Sequence, residues 1–204
     1  QTLSLGNFNE SVLEENFNTQ KNHFPLSTTT DNYFIIDDGD FFLSRNNADS
    51  EYSVFASERL TLTSYRIKTA LKLGPSNNKL AHIGVLLNTL LGGSGAVAIE
   101  INSKKQYRLR QIINGKTKFI SGTRSNDGWI RADILNGLEE FNYLDVVSHQ
   151  GSFDLYWNHQ YVASYSVPEH QSGGVGLIIG AATKARVDFF HIYKQGEAVS
   201  YEEF

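Results

Sequence analysis

Residues 64–73 alternate Tyr65, Ile67, Thr69, Leu71 and Leu73 with Arg66, Lys68, Ala70 and Lys72. A period of two puts the first set on one face of a strand and the second on the other, so the segment predicts a half-buried β-strand. Residues 80–87 are nearly continuously apolar, as expected of a central strand covered on both faces. Residues 32–36 and 41–43 flank Asp37-Asp38-Gly39-Asp40, whose Asp-Gly centre supplies the positive φ of a tight hairpin. Tyr107, Leu109 and Gln111 alternate with Arg108, Arg110 and Ile112, and Asn114-Gly115 turns that strand into residues 116–121. Residues 51–57, and residues 96–101 after the loop Gly92-Gly93-Ser94-Gly95, read as further strands. Residues 11–17 fit either a helical turn or, the favoured reading, a first edge strand, residues 123–128 a polar turn, and residues 129–135 a short strand or bridge. From Phe141 to Tyr193 three units follow: an alternating strand, a hairpin turning at Asn158-His159, and a glycine-led strand closing on Phe189-Phe190-His191-Ile192-Tyr193. No stretch longer than about ten residues has a 3.6-residue apolar period strong enough to predict a long helix.

A succession of strands and turns predicts an all-β fold, a two-sheet antiparallel jelly-roll β-sandwich. At 204 residues the chain is ample for one large all-β domain and short for two, so a single domain over 1–204 is expected. Residues 1–10 read as an irregular lead-in and 195–204 as a C-terminal tail. The 13 Phe, 10 Tyr and 2 Trp suit pleated surfaces packing sheet against sheet. Pro25, Pro75 and Pro168 all fall outside strand interiors.

Charge and residue usage exclude several classes. Acidic residues exceed basic ones by four, and the basic clusters are only Lys104-Lys105 and the alternating Arg108/Arg110 pair, so a nucleic-acid partner is not expected. Without cysteine there is neither a disulfide framework nor a thiolate metal site. The absence of methionine and the start at Gln1 lead to the expectation of a leader removed before Gln1 and an extracytoplasmic protein, whether periplasmic, cell-surface or secreted. Residues 83–91, the longest apolar run, are broken by Gly84, Asn88 and Thr89, so no membrane span is predicted.

The order of elements carries a resemblance. It runs through Glu15-Asn16-Phe17, Tyr33-Phe34-Ile35, Asp38-Gly39-Asp40-Phe41, Tyr65-Arg66-Ile67, Gly84-Val85-Leu86-Leu87 and Tyr107-Arg108-Leu109. It continues through Asn114-Gly115-Lys116, Trp129, Asp154-Leu155-Tyr156-Trp157-Asn158, Gly174-Val175-Gly176-Leu177 and Asp188-Phe189-Phe190. Over nearly its whole length the chain resembles the concanavalin A-like lectin/glucanase superfamily, and within it the bacterial LamG-like jelly rolls. The resemblance implies a fold shared by lectins, glycanases, carbohydrate-binding modules and protein-binding domains, so it speaks to architecture more than to activity. The family usually has Asn-Gly where this chain has Asn158-His159, which keeps the turn and makes its tip bulkier.

Glucanases of this superfamily carry Glu-x-Asp-x-Glu on one strand, and the triplet is absent here. Glu139 and Glu140 are adjacent and point to opposite faces, while Asp38 and Asp40 straddle a turn glycine. Gly92-Gly93-Ser94-Gly95-Ala96 falls short of a nucleophile elbow and precedes a strand instead of a helix. The six histidines are scattered without ligand spacing. The expected role is therefore a noncatalytic binding or assembly module of the cell envelope, recognising a glycan or a protein partner. The alternative is a glycoside hydrolase whose carboxylates come from separate strands. No cofactor is expected; the resemblance implies that loop carboxylates can hold calcium, with Asp37, Asp38 and Asp40 as the candidates and Asn126-Asp127 in a second turn, although turn chemistry accounts for both equally. Sugar binding needs an aromatic platform beside hydrogen-bonding side chains, and the candidates are Trp129, Trp157, Tyr107, Tyr143 and Tyr161, with His159 at the hairpin tip. Val199, Tyr201 and Phe204 form a candidate docking segment.

Overall fold

The computed structural model describes residues 5–196. Two antiparallel sheets, one of nine strands and one of seven, face each other as a jelly-roll β-sandwich, as the strand pattern predicts. The nine-stranded sheet contains β1 (Phe8–Glu15), β2 (Ser27–Thr28), β3 (Asn32–Asp37), β4 (Asp40–Arg45) and β6 (Ser64–Leu73), together with β12 (Phe141–His149), β13 (Ser152–Trp157), β14 (Gln160–Ser166) and β16 (Lys184–Gln195). The seven-stranded sheet contains β5 (Tyr52–Phe55), β7 (His82–Thr89), β8 (Gly95–Asn102), β9 (Gln106–Ile113), β10 (Lys116–Phe119), β11 (Ile130–Arg131) and β15 (Gly174–Ile179). Among the described residues no helix is long and apolar enough to cross a membrane.

Both sheets send alternate residues inward, as the two-residue period requires. Tyr65, Ile67 and Leu71 of β6 meet Ile83, Val85 and Leu87 of β7, Ile99 of β8, and Trp157, Phe190 and Ile192 in one continuous core. The apolar run at 80–87 becomes a central strand from His82 onward, with β8 on one side of β7 and β15 on the other, while Leu80 stays outside it and exposed. Three of its hairpins close on paired left-handed residues: Asp38 and Gly39 (φ 50° and 77°), Asn114 and Gly115 (48° and 76°), Asn158 and His159 (50° and 69°). His159 thus takes the conformation that glycine takes in the other two. Asn158 fastens the turn by accepting from Tyr143 N (2.8 Å) and donating to Ile134 O (2.8 Å).

Two segments depart from the sequence pattern. The glycine-led unit from 173 to 193 is two strands in different sheets, β15 and β16, joined by a crossing at Gly180-Ala181-Ala182-Thr183. Ala182 turns the chain with φ 47°, and its N–H donates to Asn47 O at 2.9 Å while its carbonyl accepts from Ser76 Oγ at 2.7 Å. Partners distant in sequence therefore hold the turn. At the other end β1 begins at Phe8, inside the segment read as irregular, because it pairs along β16 from Gln195 to Phe190. Val199, Tyr201 and Phe204 lie outside the described residues.

Candidate functional site

The outward positions of β7, β8 and β9 carry the unusual chemistry. Gly84, Glu100 and Arg108 share one row across the three strands, with Ala98 and Arg110 in the next. A Cβ on Gly84 would sit 2.7 Å from Glu100 Cγ and collide with Ile99 O, so only glycine leaves room for the glutamate to lie flat on the sheet. His82 stands at the start of β7, and Glu51 reaches in from just before β5.

These side chains form a closed ion network around Glu100, which is 0% exposed. Arg108 Nε donates to Glu100 Oε1 (2.7 Å), and Arg110 donates to both carboxylate oxygens, Nε at 2.7 Å and Nη2 at 2.8 Å. Arg110 Nη2 also reaches Glu51 Oε2 (2.5 Å). His82 faces acceptors on both sides: Nδ1 lies 2.7 Å from Leu80 O, and Nε2 lies 2.9 Å from Glu100 Oε2 and 3.1 Å from Glu51 Oε2. With only acceptors around it, the ring holds two protons and is an imidazolium. Burial by itself would lower its pKa, but the Glu100 and Glu51 carboxylates outweigh that and push it up to about 9. Burial likewise works against ionised Glu100, yet His82, Arg110 and Arg108 hold its carboxyl well below the usual range. Glu51 is also lowered, by hydrogen bonds from His82 and Arg110 that overcome its burial.

Glu51, His82 and Glu100 place one donor atom each within 4.8 Å of the others, a spacing that a metal ion could use. The chemistry of the donors opposes it, since both ring nitrogens of His82 already donate and the carboxylates are neutralised by Arg108 and Arg110. The cluster is an ion-pair network.

Above this floor opens a cleft of about 780 Å³. Trp129 is one wall. Its ring centroid lies 4.2 Å from the Arg108 guanidinium carbon, a cation–π contact, and it meets His82 edge-on at 6.4 Å. The polar turn predicted at 123–128 aims it there: Asp127 and Gly128 take φ 51° and 77°, Trp129 N donates to Asn126 O (3.0 Å), and Arg108 Nη1 donates to Asp127 O (3.1 Å). Asn78, Lys79, Asn102, Lys104 and Gln106 line the rest. Asn102 Nδ2 donates to Gln106 Oε1 (2.8 Å), which orients both amides at the rim.

Of the aromatic candidates the cleft contains Trp129 alone. Trp157 is 0% exposed in the core and Tyr107 is 3% exposed, its hydroxyl 2.9 Å from that of Tyr165, so burial removes both from contact with a ligand. Strand alternation places Tyr156 outward in place of Trp157. Tyr143, His159 and Tyr161 lie on the opposite side of the molecule, over the outer face of the nine-stranded sheet. There Tyr143 and His159 stack at 5.6 Å, and Tyr161 packs edge-on to Tyr156 at 5.5 Å. The aspartate turn is engaged by an arginine: Arg186 Nη2 donates to Asp37 Oδ2 (2.7 Å) and its Nη1 lies 3.5 Å from Asp40 Oδ2.

The residues that build the floor, Glu51, His82, Glu100, Arg108 and Arg110, are not in the sequence-derived set. A signal for them exists: Glu100 interrupts the apolar strand Ala96-Val97-Ala98-Ile99, and Arg108 and Arg110 alternate with core residues. Their convergence needs three strands in register.

No family model and no curated protein sequence matches the chain. Solved structures do share its fold. The carbohydrate binding module CBM66 from Bacillus subtilis is similar with a TM-score of 0.63 at 10% identity, over 81% of this chain and 96% of that one. A protein with a galectin-like fold from Bacillus subtilis gives 0.71 at 9% identity, over 92% and 97%. The catalytic domain of an endo-1,3-beta-glucanase (laminarinase) from Thermotoga petrophila gives 0.61 at 10% identity, over 92% and 98%.

Proposed function

We propose that this concanavalin A-like jelly roll is a noncatalytic glycan-binding module, and that the cleft over its seven-stranded sheet is the binding site. The observation that carries the reading is Trp129 packed against Arg108 in a cleft rimmed by oriented amides. An indole face suits the apolar face of a sugar ring, and amide and guanidinium groups suit its hydroxyls. Among proteins of this fold, the carbohydrate binding module CBM66 supports the reading.

The ion network supports binding over hydrolysis. A glycosidase needs one carboxylic acid kept protonated and room for the glycosidic bond between its two carboxyl groups. Glu51 and Glu100 do come from separate parts of the chain, yet both have lowered pKa values, and His82 and Arg110 fill the space between them. A secreted or cell-surface location accords with this role.

The test is a glycan array followed by titration with Trp129→Ala. Expected is binding to at least one glycan class, weakened by about tenfold or more in the variant, with no sugar released on long incubation. An array that returns nothing, or the appearance of new reducing ends, would overturn the reading.

A further inference from the structure

The floor of the cleft holds an unequal number of charges. Glu51 and Glu100 supply two negative charges and His82, Arg108 and Arg110 three positive ones, which leaves +1. The chain as a whole carries −4 with histidines neutral, so the positive floor is not a consequence of bulk composition. A net charge kept out of water is costly unless something compensates it.

We propose that the cleft takes an acidic glycan, one whose sugars carry a carboxylate or a sulfate ester, with the acidic group seated on the open edge of Arg108. Arg108 is only 8% exposed, yet it lines the cleft, whereas Arg110 does not. Its Nε is committed to Glu100 and its Nη1 to Asp127 O, and Nη2 donates to no acceptor among the described residues. A guanidinium presents its donors as a planar fork that matches carboxylate and sulfate oxygens. Trp129 covers its face and restricts water there, which strengthens a charge-assisted hydrogen bond at the remaining edge. At the rim Lys79 and Lys104 are in no ion pair among the described residues, and Asp49 and Asp127 balance them in number. Preference for an anion therefore comes from the buried floor, while the two lysines assist its approach.

This inference rests on the cleft being the glycan site, and the experiment separates the two. The full chain is titrated with polygalacturonate, with a sulfated galactan and with a neutral β-1,3-glucan at low and high sodium chloride. Expected is at least about tenfold tighter binding to one acidic glycan than to the neutral one, as a charge-assisted hydrogen bond supplies, with affinity that falls as salt rises. The uronate and sulfate arms then identify which acid is taken. Arg108→Gln removes the preference; because it also takes a partner from buried Glu100, its folding is checked by thermal melting. The double variant Lys79→Gln/Lys104→Gln changes only exposed side chains, and it reduces acidic-glycan affinity by about threefold and flattens the salt dependence. Neutral glycan bound as tightly, without salt dependence, overturns the acidic preference and leaves the glycan site standing. Failure of all three arms overturns the acidic preference, and the glycan array decides separately whether the glycan site stands.

Discussion

His82 donates from both ring nitrogens, and this fixes how the floor responds to pH. Its native pKa is raised to about 9 from 6.5 by Glu100 and Glu51 acting against burial. Below about pH 6.5 the unfolded histidine is protonated as well, and the full stabilisation is present. Between there and about 9 the native state holds a proton that the unfolded state lacks, so stability falls as pH rises, and above about 9 the contribution is gone. Melting temperature should decline through that window in wild type, and His82→Gln should flatten the decline. Glu100→Gln tests the same network from its centre. It leaves Arg108, Arg110 and His82 without their shared partner, and the expected loss of about 3–5 kcal/mol reads as a melting point lower by roughly 10 °C. A change within about 1 °C would show that the buried carboxylate is dispensable.

The strands explain why such a network can sit on a sheet at all. Glu100 fits because its neighbour across β7 is Gly84, and Gly84→Ala should cost about 1–3 kcal/mol as β7 and β8 are pushed apart, measurable by denaturant titration. An unchanged midpoint would mean that the sheet absorbs a methyl group there. Element by element, the sequence was most legible where side-chain period and turn chemistry agree. Ser64–Leu73 alternates cleanly and is one strand, and Asp38-Gly39 and Asn114-Gly115 are the turns that their residues specify. It was least legible at 180–183. Gly-Ala-Ala-Thr lacks the Asn, Asp or Pro that marks a turn, and the bend at Ala182 is held by Asn47 and Ser76, far away in sequence.

At the scale of the whole molecule the sandwich has two outer faces with different chemistry. One carries the cleft with Trp129 and the ion network; the other carries Tyr143, His159 and Tyr161. If the glycan site is the cleft, Tyr143→Ala and Tyr161→Ala should each leave glycan affinity within about twofold of wild type, since both lie across the core from it. A tenfold loss in either would move the site to the nine-stranded sheet. Of the aromatic candidates, Trp129 reached the cleft because a turn with two left-handed residues directs it outward, while Trp157 went into the core because alternation put Tyr156 outside. The sequence by itself determined the all-β class, most strands and hairpins, and the absence of a Glu-x-Asp-x-Glu strand, because period and turn preference act between residues close along the chain. Only the tertiary structure decided the site. Glu51, His82, Glu100 and Arg110 are separated by up to 59 positions, and the pairing of the strands that carry or adjoin them is what brings each carboxylate to 3.1 Å or less from His82 and Arg110.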